Sequence, residues 1–322
     1  MNPASKTTGA PATWQVIAAL AAVYCIWGST YLAIHFAVET MPPFLMAGVR
    51  FVVSGGILFV WMRLRGTPAP TRTQWRAMAI VGALLLMGGN GVLAWAEQTV
   101  PSGLAALMIA TVPVWMVLLD WFRGDRVRPT LGVSLGLVLG LAGIALLVGP
   151  GALTGGSPIN TFGLIALVFA SLSWATGSFY ARRAPLPSTS LLATGMEMLV
   201  GGGLLLVAGL LTGEFGQLRL DHVSMESLVA FSYLIVFGSW VGFTAYTWLI
   251  RETPPALSST YAYVNPVVAV FLGWALGGEA FTTRTVLAAS IIIAAIVLIT
   301  IQHANKHMTK PADAVPGIVQ AD

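Results

Sequence analysis

The sequence predicts an all-α membrane protein in which ten transmembrane helices are arranged as two inverted five-helix repeats. Three observations carry this reading. Of the 322 residues 57% are hydrophobic and only 9% charged, at a mean hydropathy of +0.82, where a soluble domain carries about 25% charged residues. The chain divides into ten apolar segments joined by short connections. A set of tryptophans, glycines and prolines then recurs at a nearly fixed offset, so that the second five segments repeat the first.

Residues 1–13 are small and polar and read as a disordered cytoplasmic tail. Apolar segments follow near 14–38, 44–63, 75–96, 102–122, 130–148, 160–181, 188–211, 226–250, 255–276 and 284–302, each about the 20 residues that cross a hydrocarbon core. The first exceeds a signal-peptide core and has only Lys6 before it, so it is expected to be a retained span. Pro42-Pro43, the stretch Gly66 to Pro70, Pro101, Pro129, the stretch Gly149 to Pro158, Pro185 with Pro187, and Pro254-Pro255 punctuate the connections. The first repeat is placed at 14–148 and the second at 160–302, with a second cytoplasmic tail from 303 onward.

Trp27 and Trp174 stand 147 positions apart, as do Gly48 and Gly195, Arg50 and Glu197, and Gly55 and Gly202. After a longer loop at Thr212 to Glu226 the offset becomes 153, pairing Trp95 with Trp248, Pro101 with Pro254, Pro113 with Pro266 and Trp121 with Trp274. An odd number of spans per half forces the second half to enter upside down. The charges agree: of 16 Lys and Arg, all but three fall on the side of the N-terminus, the exceptions being Arg219 and Arg284 opposite and Arg50 within a helix. That asymmetry places both termini in the cytoplasm. Inverted halves with a ligand at their interface are a recurring transporter plan.

The basic balance, a formal charge of +4, lies in these short loops, so membrane orientation accounts for it and nucleic acid is not expected as a partner. Cys25 is alone, and His35, His222, His303 and His307 form no ligand pair, so neither a disulfide framework nor a metal site is expected. No Walker lysine, nucleophile elbow or zincin pattern is present, so no cofactor and no catalytic set is expected.

Candidate site residues come from polar groups in apolar helices. Proline removes a backbone donor and crowds the carbonyl four residues back, so Pro113 and Pro266 are predicted to kink their helices and free a carbonyl. In hydrocarbon that is tolerated only against protein, a polar side chain or a water-lined cavity. Thr111 and Asn265 precede these prolines. Tyr261 and Tyr263 lie two apart and so point to different helix faces. Trp27 with Ser29, Trp174 with Ser178, Trp115, Trp240, and Asn90 between glycines complete the substrate-binding candidates. An aromatic wall with a few hydroxyl and amide groups suits a neutral amino acid; the same residues equally suit bundle packing. Arg50 and Glu197 are repeat mates, and a charge near the bilayer centre costs at least about 2.5–3.5 kcal/mol on insertion scales. They either meet substrate or a gate, or serve structure as an ion pair or a link to backbone at the bundle's ends; Glu197 is the candidate proton carrier. Gly132, Gly136 and Gly140 form a small-residue ridge that serves packing within the chain or a homodimer face. The chain is expected to be a monomer or a weak homodimer.

The stretches IWGSTY (26–31), MAGVRF (46–51), GNG (89–91), VPSG (100–103), ATVP (110–113), STYAYVNPVVA (259–269) and the pair Gly278-Glu279 together resemble the EamA family of the drug/metabolite transporter superfamily. The resemblance covers all ten segments; one departure is Gly124-Asp125-Arg126, where Gly-Glu is the commoner pattern. It implies a bacterial inner-membrane permease that exports amino acids or similar small metabolites. It also implies a cavity walled by helices one to four and six to nine, with helices five and ten as scaffold. A proton-coupled importer or drug efflux pump, a channel and an intramembrane lipid enzyme are the alternatives.

Overall fold

The computed structural model describes residues 12–123, 160–253 except 188, 260–308 except 280 and 281, and part of 131–146. Residues 1–11, 309–322 and Gly124-Asp125-Arg126 lie outside the described residues, while 303–308, expected to begin the second tail, continue the last helix. Every regular element described is helical. Among the described residues six helices are long and apolar enough to cross a membrane: α1 (Thr13–Val38), α2 (Pro43–Leu64), α3 (Arg72–Ala96), α6 (Thr161–Ala181), α7 (Ser190–Leu211) and α8 (Met225–Leu249). The fourth segment, α4, is built of two pieces, Ser102–Ile109 and Val112–Arg123. The described residues of 131–146 are largely helical and form α5, followed in order by α9 (Tyr261–Leu276) and α10 (Thr283–Met308).

Helices α2 and α7, repeat mates of 22 residues each, pack closely against each other across the two halves. They run antiparallel, Gly48 meeting Gly202 and Gly55 meeting Gly195. A Cβ on Gly55 would stand 2.8 Å from the Gly195 carbonyl oxygen, and one on Gly202 would stand 2.8 Å from the Val52 nitrogen. Lipid supplies no hydrophobic drive between helices, so close approach of backbones over small residues holds such a pair. Gly140 on α5 faces Ala295 and Val114 of the same chain, so that part of the glycine ridge serves internal packing.

We call the end that carries the N-terminus proximal and the opposite end distal. One buried cluster gathers Ile34, Met46, Leu104, Leu107, Leu167, Leu234 and Ile292. A second gathers Trp27, Phe51, Leu58, Met78, Leu86, Met196, Met198 and Leu249. Both draw on the two halves, so neither half has a core of its own.

Two features of the helices were not legible as such. Among the described residues three spans contain a π-helical stretch: Val23–Trp27 in α1, Ala83–Gly91 in α3 and Leu234–Gly242 in α8. The wide turn lets side chains from the other half reach backbone carbonyls. Ser173 Oγ on α6 donates to Leu84 O at 2.7 Å, and Trp27 Nε1 on α1 donates to Gly238 O at 3.3 Å. The two prolines also differ. The helix of α4 stops at Ala110–Thr111, with Pro113 in the first turn of the next piece, where no donor is needed. Among the described residues α9 instead runs from Tyr261 through Pro266 to Leu276, so Pro266 lies inside its helix where Pro113 lies in a first turn. Pro266 is only the sixth residue of α9, so the helix continues with one donor missing.

Candidate functional site

A cavity opens between the halves where α1, α2, α3, α4, α6, α8 and α9 converge. Its aromatic wall is centred on Trp27, whose ring lies 6.2 Å from Trp174, 5.2 Å from Phe243, 4.8 Å from Tyr246 and 5.5 Å from Tyr261. The π stretches seat these tryptophans. A Cβ on Gly242 would stand 2.4 Å from Trp27 Nε1, and one on Gly89 would stand 3.0 Å from Trp174 Cε3. Each half therefore offers a glycine to the tryptophan of the other.

Polar groups are few and placed singly. Arg50, 3% exposed, lines the cavity, and its Nε donates to Ser239 Oγ at 2.9 Å. The guanidinium packs against Gly238, where a Cβ would come 2.9 Å from Nη2, and its carbon lies 4.7 Å from the Phe51 ring centroid. Among the described residues no carboxylate comes within ion-pair distance of it. Its repeat mate Glu197 is not its partner, and Glu197 Oε1 has no hydrogen-bond partner. The structural ion pair is thus not found. Asn265, 4% exposed, also lines the cavity, and its Oδ1 is buried without a partner. Asn90 enters from the π stretch of α3, and Ala262, whose carbonyl loses its helical donor at Pro266, lines the same wall.

Of the residues singled out from the sequence, Trp27, Asn90, Trp174, Tyr261, Asn265, Arg50 and Pro266 meet at this cavity. The others are engaged elsewhere. Ser29 donates to Ile26 O at 2.8 Å and pairs with Tyr233 Oη at 2.6 Å. Thr111 Oγ1 donates to Met108 O at 2.7 Å, closing the break in α4, and Trp115 Nε1 donates to Ser171 Oγ at 2.9 Å. Trp240 lies in a separate apolar groove with Trp14, Trp61 and Trp248, and donates to Ser54 O at 3.3 Å. Ser178 is part-buried on α6, away from the lining, and the side chain of Tyr263 lies outside the described residues. Thr30, Tyr31, Leu93 and Phe243 line the cavity and were missed. The IWGSTY stretch contains two of them, and a helical wheel through Trp27 passes through Tyr31.

At the distal end carboxylates of one half cap helices of the other. α2 and α4 begin after Pro42 and Pro101, which have no side chain to cap a helix. Glu214, in the turn after α7, accepts from Phe44 N at 3.2 Å and Leu45 N at 2.8 Å. Glu279, after α9, accepts from Ser102 N at 2.6 Å, from Ser102 Oγ, and from Gly103 N at 3.0 Å. Both carboxylates sit at the positive end of a helix dipole.

This architecture has known counterparts. The description of the EamA-like transporter family matches the chain twice, over residues 13–149 and 161–301. The chain belongs to the EamA-like transporter family. The inner membrane transporter YedA of Escherichia coli K12 is 41% identical over 94% of this chain and 95% of its own length. Protein PecM of Dickeya dadantii is 26% identical over 85% of this chain and 89% of its own. One solved crystal structure, 19% identical, shares the fold at a TM-score of 0.63 over 92% of this chain and 99% of that one. The chain is accordingly a membrane transporter of this family.

Proposed function

We propose that the chain exports small neutral metabolites carrying a carboxylate, foremost amino acids with aromatic or aliphatic side chains. It would do so by alternating access and not as an enzyme. The observation that carries the reading is Arg50: a buried guanidinium in the cavity with no carboxylate beside it among the described residues. A buried charge left unpaired is costly, and a bound carboxylate is the partner that relieves it. Asn265 Oδ1, unpartnered in the same cavity, offers an acceptor for an ammonium. The wall of Trp27, Trp174, Phe243 and Tyr261 suits an apolar side chain.

The basic residues gathered on the proximal side support a cytoplasmic N-terminus and C-terminus in a bacterial inner membrane, which makes the distal face the outer one. The break in α4 and the three π stretches supply places where helices bend as the cavity changes sides. The test is uptake of labelled leucine and phenylalanine into proteoliposomes that contain only this protein, with and without a pH gradient. Saturable uptake that unlabelled amino acids compete for is expected; the absence of uptake under both conditions would sink the substrate class.

A further inference from the structure

The distal face holds a carboxylate that the cavity does not use. Glu97 follows Ala96, the last residue of the α3 span, and is 0% exposed. Neither of its carboxylate oxygens has a hydrogen-bond partner. The groups around it can be named element by element. α1 presents Tyr31 and His35, whose Nδ1 lies 3.1 Å from the Glu97 backbone oxygen. The end of α9 presents Glu279. From Thr161 to Phe179, α6 carries no ionisable residue, and neither does the first piece of α4. On the buried length of α2 the only ionisable group is Arg50, engaged with Ser239.

An ionised carboxylate without partners in such a place is strongly disfavoured, so the group takes a proton instead. Burial first, and then the negative charge of Glu279, push the Glu97 carboxyl well above the usual carboxylate range. Glu279 is at the same time the residue that clamps α9 onto the start of α4. Its carboxylate folds back over Gly273, where a Cβ would stand 2.5 Å from Oε2.

We propose that Glu97 is a proton-binding site that sets the distal gate: protonated, it leaves Glu279 on the α4 helix start and the gate shut; ionised, it repels Glu279 and releases the clamp. The proton comes from the solution at the distal side while the gate is open, binds one Glu97 oxygen, and returns there when the gate reopens. The shut state binds this proton more tightly than the open one. Closure is therefore favoured at low pH and lost progressively as pH rises from the ordinary carboxylate range towards the raised value. Tyr31, which lines the cavity and faces Glu97, connects the gate to the ligand. The proposal rests on the transporter reading, but its test does not need the substrate.

The experiment uses full-length protein in liposomes, with Cys25→Ala and Leu93→Cys so that a single thiol lines the cavity. Labelling by a membrane-impermeant maleimide from the distal side, divided at each pH by its rate with a free thiol to remove the thiolate's own pH dependence, is expected to rise at least several-fold from mildly acidic to mildly alkaline pH. Glu97→Gln, a near-isosteric change, should flatten that rise at the low level. Glu279→Gln should flatten it at a high level, because the clamp is weakened throughout. Glu197→Gln should leave it intact. A pH step that survives Glu97→Gln, or that disappears only in Glu197→Gln, overturns the proposal, as does labelling that never changes with pH. Absence of amino-acid uptake with an intact pH step would count against the transporter's substrate and not against Glu97.

Discussion

At the distal end α2 and α4 start on prolines, and carboxylates of the other half, Glu214 and Glu279, take their free N–H groups. At the proximal end α3 and α7 start on Thr71 and Thr189, whose hydroxyls accept from Gln74 N and Leu192 N of their own helices. Among the described residues, Gln74 Nε2 donates across the halves there to Leu186 O, exposed, at 3.1 Å, and Tyr24 Oη pairs with Thr260 Oγ1 further in. Helix ends that cap themselves lose nothing when the halves part. Those capped by the other half lose charged hydrogen bonds. The duplicated sequence thus produces, among the described residues, one strong seam and one weak one, which is what a transporter needs if one side is to stay shut while the other exchanges ligand.

The largest expected effect removes the close packing of α2 on α7. Gly202→Val places side-chain atoms against the Val52 nitrogen and the Gly48 oxygen, 2.8 and 3.0 Å from the Cβ itself; neither can move aside. A loss of about 3 kcal/mol or more is expected, read as little or no monodisperse protein after extraction. Near-normal yield would mean that α2 and α7 tolerate separation. Next, Gly242→Ala should push Trp27 off its seat, with a Cβ 2.4 Å from Nε1, and lower uptake at least tenfold while the protein still folds. Smaller, and aimed at the comparison itself, Glu279→Ala should cost about 2–3 kcal/mol of a charged hydrogen-bond set. Thr189→Ala should cost about 1 kcal/mol of a helix cap. Thermal unfolding of the two variants side by side measures the difference, and an equal or reversed order would erase the distinction between the seams.

Much of this was written in the sequence. The offset makes Gly48 and Gly55 repeat mates of Gly195 and Gly202, but their crossed contact, Gly48 on Gly202 and Gly55 on Gly195, came only with the fold; the cavity's Trp27, Asn90, Trp174, Asn265 and Arg50 stood out as polar or aromatic groups on apolar helices. What was not legible depended on backbone geometry. No residue pattern distinguishes a π stretch from a glycine-tolerant α-helix, so the seats at Gly89 and Gly242 appeared only with the fold. Pro113 and Pro266 share a motif but differ in distance from their helix starts, which decides whether the helix stops or continues. Ser29, Thr111 and Trp115 look like ligand groups until their hydrogen bonds inside the bundle are seen. Glu97, beside Gln98 and Thr99, reads as an interfacial residue, and only burial marks it out.

The most direct measurement of the central claim, that Arg50 receives a substrate carboxylate, is competition against labelled leucine by leucine itself and by isoamylamine, the same molecule without its carboxylate. The pair is compared in wild-type protein and in Arg50→Gln. A charged hydrogen bond worth about 1.5–3 kcal/mol corresponds to a tenfold or greater preference. The account predicts that preference for leucine in the wild type and its collapse towards equality in Arg50→Gln, with uptake much reduced. Undiminished uptake and an undiminished preference in Arg50→Gln would contradict it.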